Sequence, residues 1–185
     1  MEAAFSWLGQ IFEALLQFVP RRVIVRATES GVKWSLFGKP KEMKPGFRIY
    51  WPFITSVEVI IVARQTLNTP TQSLMTKDGE TVVAGGVVIY KINDVVQAIG
   101  EKNWSPEATA GDIAQAAIVD VVSKWDCIDL LANISGKVEE QLTDTCRRQL
   151  RQYGIYVTRA ALVDFSLATN LNHSGIKFQP QSEPE

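Results

Sequence analysis

Histidine and cysteine are scarce in this chain of 185 residues, which has one histidine and two cysteines. The histidine, His173, lies between Asn172 and Ser174 in a polar C-terminal segment that ends QPQSEPE and is predicted to be disordered. A Ser-His-Asp triad or Cys-His dyad needs a histidine held rigidly beside the nucleophile, so nucleophilic catalysis of this kind is not expected. The chain has no CxxC pair and no His/Cys cluster, which predicts that Cys127 and Cys146 are reduced, packed thiols.

The chain also lacks an excess of one charge, because 19 Lys and Arg residues nearly balance 20 Asp and Glu residues. Nucleic-acid binding would require a uniformly basic face, so a nucleic-acid partner is not expected. The charges are nevertheless distributed unevenly. Residues 1–50 hold eight basic and four acidic residues, which leaves eleven basic and sixteen acidic residues for the other 135. Because the basic part also carries a hydrophobic stretch, the distribution favours contact with anionic lipid.

A membrane-spanning apolar run is missing too, although residues 3–19 read AAFSWLGQIFEALLQFV. As a helix this stretch extends about 25 Å at ~1.5 Å per residue, less than the ~30 Å core of a bilayer. Glu13 within it would be costly in lipid, and the bulky residues before Pro20 do not fit a cleaved secretion signal. Two interpretations remain, a helix that lies in one leaflet and a terminal helix that caps a soluble core.

We favour membrane contact, because five large apolar residues in the first twelve would otherwise need a dedicated groove. The polar residues of the stretch recur every three or four positions and leave a wide apolar helix face. The predicted membrane-binding residues are Phe5, Trp7, Leu8, Ile11, Phe12, Leu15, Leu16, Phe18 and Val19, with Arg21 and Arg22 at the headgroups. Basic residues follow the stretch and only Glu2 precedes it, which predicts that the domain lies on the cytoplasmic side.

After Pro20 the pattern becomes that of strands. RVIVRAT and GVKWSLF, separated by ESG, predict a hairpin, and Lys44-Pro45-Gly46-Phe47 predicts a type II turn with a positive φ at the glycine. VEVIIVARQTL and SLMT are the next strand segments. Asp78-Gly79 predicts a hairpin turn before the long strand ETVVAGGVVIYKI, in which Gly85-Gly86 indicates a bulge or a close backbone approach.

The second half of the sequence is typical of helices. Ser105-Pro106-Glu107 predicts a helix start, and CIDLLANI predicts a short helix with Ser135 as the cap of the next one. A helix over residues 136–153 is predicted to end at Gly154, before the strand IYVTRAALVDFSLA rejoins the sheet. The apolar stripe of the first helix is Ala110, Ile113, Ala114, Ala117, Ile118, Val121, Val122 and Trp125. The predicted fold class is α+β, an antiparallel sheet packed on two main helices after an N-terminal amphipathic helix.

These segments together resemble the SPFH or Band 7 domain of stomatins, prohibitins, flotillins and the bacterial HflK/HflC pair. The similar segments are KPGFRIYWPFI, QTL, SLMTKDGETVVAGGVVIYKINDVVQAI, IDLL and YGIYVTRAALVDFSL, which extend over roughly residues 20–167. The resemblance implies a membrane-anchored scaffold that assembles into rings or cages and organises lipids or regulates membrane proteins. It implies three regions, a membrane-anchoring helix at 1–20, the domain at 21–169 and a polar tail at 170–185.

The sequence departs from the family pattern at two places. Val83-Ala84-Gly85-Gly86 stands where the family typically has V-x-V-D, so the strand is expected to bend differently. About 18 polar residues follow the last strand where most members continue into a long coiled coil, which predicts a minimal form. Such a form either closes rings through its globular domain or forms no cage.

Self-association between unlike faces is therefore predicted for the scaffold hypothesis. The candidate subunit contacts join basic to acidic groups, namely Lys39, Lys41, Lys44 and Arg48 with Asp112, Asp120, Glu139 and Glu140. The other hypotheses are a membrane-tethered module that recruits or inhibits a protease or transporter, and a soluble protein whose first helix binds in a groove of a partner protein. The helical carboxylates are expected to be surface or ion-pair residues, so no enzymatic activity, cofactor or metal is predicted. The expected partners are lipid, other copies of the chain and an unknown membrane-protein client.

Overall fold

The computed structural model describes residues 19–100, 103 and 105–167. The predicted N-terminal helix, apart from Val19, and the predicted tail from residue 170 lie outside the described residues. The strands are β1 (Arg21–Val25), β2 (Glu29–Ser35), β3 (Gly38–Met43), β4 (Gly46–Tyr50), β5 (Thr55–Ile61), β6 (Gln65–Asn68), β7 (Gln72–Met75), β8 (Thr81–Ile92) and β9 (Ile155–Leu167). The helices are α1 (Val95–Ala98), α2 (Pro106–Val122), α3 (Cys127–Asn133) and α4 (Lys137–Leu150), followed by a 3-10 helix at Arg151–Tyr153. This order confirms the α+β class.

The first five strands form two small antiparallel sheets, in which β1 pairs with β4 and β2 lies between β3 and β5. The predicted hairpin at ESG is wrong, because residues 29–31 belong to β2 and pair with β5. A turn at Leu36 and Phe37 joins β2 to β3 instead. Gly46 has the predicted positive φ, 136°, but it opens β4 and does not join β3 to β4 in a hairpin.

The third sheet is built around the long strand β8. β9 pairs with β8 along one side, while β6 and β7 share the other side. Residues 62–64 divide the segment VEVIIVARQTL into β5 and β6. The predicted turn at Asp78-Gly79 is confirmed, since Gly79 has φ 84° between the paired strands β7 and β8. The bulge is confirmed as well, because the register against β9 shifts between Gly85 and Gly86.

Helices α2 and α4 pack against this third sheet and against each other. The Ser105 hydroxyl caps α2 by accepting a hydrogen bond from the Ala108 N–H at 3.3 Å, as predicted. The predicted stripe is the buried face of α2, with Ala110, Ala114, Ala117, Ile118, Val121 and Val122 buried and Ile113 and Trp125 partly buried. The prediction for Ser135 is wrong, because Gly136 holds the N-cap position of α4 and no side chain caps that end.

The end of α4 follows the sequence prediction closely. Val138, Leu142, Cys146 and Leu150 are buried in the main core, and Gly154 ends the 3-10 helix in the left-handed conformation with φ 70°. Strand β9 begins at the next residue and runs antiparallel to β8. The chain thus rejoins the sheet as predicted.

Both cysteines are free and buried. Desolvation raises the pKa of the Cys146 thiol to about 11, and desolvation followed by the negative charges of Asp78 and Glu80 raises the pKa of Cys127. The Asp78 carboxylate accepts hydrogen bonds from the Thr76 hydroxyl and from the Cys127 N–H, and in that order these bonds lower its pKa. Asp78 thereby ties the β7–β8 turn to the start of α3.

Candidate functional site

An exposed apolar face lies on the two-stranded sheet of β1 and β4. The register places Ile24 opposite Phe47 and Arg22 opposite Ile49, so these four side chains share one face. Ile24, Phe47 and Ile49 are 69%, 57% and 61% exposed. Val25, which points to the opposite face, is only 2% exposed. The opposite face is buried at Val25 and partly buried at Val23 and Tyr50, while the face of Ile24, Phe47 and Ile49 is apolar and exposed.

Two turns extend this apolar face. After β4, the Trp51 carbonyl accepts hydrogen bonds from the N–H groups of Ile54 and Thr55 and from the Thr55 hydroxyl. The Leu36 N–H donates to the Ile54 carbonyl at 3.0 Å, which brings the β2–β3 turn beside the first turn. We define the apolar surface as the exposed residues Ile24, Leu36, Phe37, Phe47, Ile49, Trp51, Phe53 and Ile54.

Val19 and Pro20 enter the domain beside this surface. Arg21 pairs with Tyr50 at the last position of the β1–β4 sheet, so Val19 and Pro20 leave the sheet at the end where Trp51 begins the next turn. Val19 is 51% exposed. A large exposed apolar patch on a folded domain usually marks a contact with protein or membrane. Val19, the last residue of the stretch predicted to bind lipid, is therefore close to the apolar surface.

Three of the predicted membrane-binding residues are described, and all three are exposed: Val19, Arg21 and Arg22. The other eight, Phe5, Trp7, Leu8, Ile11, Phe12, Leu15, Leu16 and Phe18, lie outside the described residues. The apolar surface itself was not predicted. A signal was present in KPGFRIYWPF, where Phe47, Ile49, Trp51 and Phe53 alternate with other residues, but such alternation is normally the mark of a buried strand face.

The candidate subunit contacts fall on separate elements. Lys39 and Lys41 lie on β3, Lys44 follows it and Arg48 lies on β4, and all four are exposed. The acidic candidates lie on α2 and on the first turn of α4, and two of them are engaged within the chain. Asp120 pairs with Lys124 at 2.8 Å, and Glu139 forms a bidentate pair with Arg159 at 2.6 and 3.0 Å. Asp112 and Glu140 are exposed, and neither side chain forms a hydrogen bond or ion pair within the described part of the chain.

Within residues 19–100, 103 and 105–167 no helix has the length and apolar character needed to cross a bilayer. The same residues contain no cluster of three or more His, Cys, Asp or Glu side chains that could hold a metal ion.

Comparison with known proteins identifies a family and several distant relatives. The family model described as "SPFH domain / Band 7 family" matches residues 23–178. An uncharacterized protein of Archaeoglobus fulgidus is 25% identical over 179 residues, which are 97% of this chain and 71% of that protein. Human stomatin-like protein 3 is 27% identical over 137 residues, and stomatin-3 of Caenorhabditis elegans is 24% identical over 123 residues. These two alignments cover 72% and 66% of this chain, and 45% of each stomatin. The resemblance read from the motifs is thus confirmed.

Proposed function

The chain belongs to the SPFH domain / Band 7 family, and on that premise we propose that it is a membrane-associated scaffold that assembles with copies of itself. In this proposal the N-terminal segment and the apolar surface contact one leaflet of a bilayer, and the globular domain lies on the cytoplasmic side. The assembly organises a patch of membrane or regulates a membrane-protein client, and it does so without catalysis.

The observation that carries the membrane part is the position of the apolar surface. It lies on the outer face of the β1–β4 sheet and on two turns, beside the point where Val19 and Pro20 enter the domain. Lipid would cover the exposed side chains, while Arg22, on the same face as Ile49, would reach the headgroups. Family membership supports this placement, because SPFH domains are typically membrane-associated.

The assembly part rests on family membership and on exposed charges of both signs. Lys39 and Lys41 on β3 and Asp112 and Glu140 on the helices lie on different elements of the domain. Contacts between unlike faces repeat head to tail, and they close into a ring when the rotation between neighbours permits it. Complementary charges would select the neighbour and its orientation.

Membrane association is tested by density-gradient flotation of the full chain with lipid vesicles. Leu8→Glu and Ile49→Glu are each expected to reduce recovery with the vesicles, because each places a charge in an apolar lipid contact. Ile128→Glu is the matched control, since Ile128 is 80% exposed but lies on α3, outside the apolar surface. Wild-type recovery of both Leu8→Glu and Ile49→Glu would contradict the membrane part of the proposal.

Assembly is tested by electron microscopy of the chain extracted gently from membranes. Closed rings of uniform diameter are expected for a scaffold. Small scattered particles would instead favour the alternative function, a membrane-tethered module that recruits or inhibits a membrane protease or transporter. Analytical ultracentrifugation of the same sample measures whether the copies stay together once lipid is removed, and that property separates the two functions.

A further inference from the structure

A groove of about 800 Å³ lies between the β2–β3 hairpin, α1 and the C-terminal end of α4. We call it the arginine groove. Its lining residues include Trp34 on one side and Arg148 and Arg151 at the end of α4. Its volume is within the range of about 300–1,000 Å³ typical of small-ligand sites. Among the described residues, the groove is lined by two arginines and by no acidic side chain.

The two guanidinium groups of the groove are available for a ligand. Arg148 and Arg151 are exposed, and neither makes an ion pair or a side-chain hydrogen bond within the described part of the chain. They are three residues apart on consecutive helical turns, so their side chains lie on the same side. Two guanidinium groups in this arrangement present paired N–H donors, which suit the oxygens of a phosphate group.

Arg148 and Arg151 also line an adjoining hollow that contains Asp94 and Asp144, but neither arginine forms an ion pair with these carboxylates. Arg147 already pairs with Asp144 at 3.1 Å, donates to the Val157 carbonyl and lies over the Tyr156 ring. Asp94, in the adjoining hollow, accepts a hydrogen bond from the Gln97 N–H at the start of α1. The helix dipole is a sufficient reason for basic residues at the end of α4. It does not explain why Trp34, on β2, lines the same groove as these arginines.

Trp34 also connects the groove to the apolar surface. A second hollow, lined by Trp34, Leu36, Phe53 and Ile54 among others, shares this side chain with the arginine groove. Trp34 lies on β2 and Leu36 lies in the turn two residues later, so at ~3.3 Å per extended residue they are at most about 7 Å apart. A molecule with an apolar part and an anionic part could therefore contact both features.

We propose that the arginine groove binds the phosphate of an anionic phospholipid headgroup while the acyl chains lie against the apolar surface. This inference rests on the proposed membrane association and names the lipid class that the domain prefers. An acidic segment of a second copy could also meet two arginines, but it would not need the apolar hollow that adjoins the groove at Trp34. A lipid therefore accounts for both the two arginines and the adjoining apolar hollow, whereas an acidic segment accounts only for the arginines.

The test compares binding of the full chain to phosphatidylcholine vesicles with and without phosphatidylglycerol. Wild type is expected to prefer the anionic vesicles, and Arg148→Gln/Arg151→Gln is expected to reduce that preference roughly 25-fold, about fivefold for each basic group at the surface. The matched control is Arg64→Gln/Lys137→Gln, which removes the same charge from two exposed residues outside the groove. The control is expected to keep most of the preference.

The outcomes separate this inference from the proposed function. If wild type binds neither type of vesicle, membrane association itself is contradicted. If it binds both equally, or if the two double variants lose the preference to the same extent, the groove is not the headgroup site. A loss of self-association in Arg148→Gln/Arg151→Gln at unchanged vesicle preference would assign the groove to a second copy instead.

Free phosphate is distinguished in the absence of vesicles. Inorganic phosphate is compared with chloride at equal ionic strength, and the melting temperature of wild type is measured beside that of Arg148→Gln/Arg151→Gln. No difference between the two salts is expected for a headgroup site that also needs the apolar surface. A rise in melting temperature with phosphate, seen in wild type alone, would assign the groove to free phosphate and overturn the lipid assignment.

Discussion

Substitution of one pair of facing apolar side chains should weaken lipid binding more than it lowers the free energy of unfolding. Ile24 and Phe47 face each other across β1 and β4 and are 69% and 57% exposed. Full burial of either side chain is worth about 1.5–3 kcal/mol. Scaled by the exposed fractions, lipid contact of the pair contributes about 2–4 kcal/mol. Ile24→Ser/Phe47→Ser should therefore lower the vesicle partition coefficient by roughly 30-fold or more.

The same double substitution should change the free energy of unfolding less. The parts of Ile24 and Phe47 that the fold already buries are the minor fractions, so we expect a loss of about 1–2 kcal/mol on unfolding. Leu142 is the opposite case, since it is 1% exposed in the core between α4 and its neighbours. Leu142→Ala should destabilise the fold by about 2–5 kcal/mol and leave the partition coefficient of the folded protein unchanged.

Vesicle co-sedimentation and urea unfolding measure these two quantities on the same preparations. The reasoning is refuted if Ile24→Ser/Phe47→Ser partitions like wild type, because lipid would then not cover the outer face of the β1–β4 sheet. It is equally refuted if the double variant loses more unfolding free energy than Leu142→Ala, since the pair would then belong to the core.

Two further predictions concern the fold itself. Gly154→Ala should lower the free energy of unfolding in urea by more than about 1 kcal/mol, because φ is 70° and the new Cβ would lie 2.3 Å from the Asp94 carbonyl oxygen. Gly111→Ala inside α2 should instead raise the free energy of unfolding by about 0.5–1 kcal/mol. Equal effects of the two substitutions would contradict this account. The pKa of Asp78 is lowered in the fold, so its contribution to stability is present above the unfolded-state value of 3.8 and is lost as pH falls through the lower folded value. Asp78→Asn should therefore be less stable than wild type near neutral pH, with a gap in melting temperature that narrows in acid. A gap that is constant with pH would contradict the account, because the hydrogen bonds from Thr76 and Cys127 would then not favour the ionised carboxylate.

Much of the helical half could be predicted because its signals are local. The Ser105 cap bonds to an amide three residues away, and the left-handed conformation at Gly154 ends the helix at the position where only glycine fits easily. The Asp78-Gly79 turn and the buried stripe of α2 depend on equally short spacings. The prediction failed at Ser135, where the neighbouring Gly136 holds the cap position.

The strand pairing of the N-terminal half could not be predicted in the same way. RVIVRAT and GVKWSLF are adjacent in the chain and each has strand propensity, yet β1 pairs with β4 and β2 pairs with β3 and β5. Strand partners are chosen by the fit of whole faces, and short apolar strands carry little information on which face they will meet. The strand partners are therefore decided by how the sheets pack and not by the local sequence.

The sequence by itself determined the family, the α+β class, the helix start at Ser105 and the turn glycines Gly79 and Gly154, because each depends on motifs or on spacings of a few residues. Only the tertiary structure decided that Phe47 and Ile49 lie on an exposed face, since alternation looks the same on a buried face and on an exposed one. It alone brought Arg148 and Arg151 opposite Trp34. Those residues come from opposite halves of the chain, and no local interaction relates them.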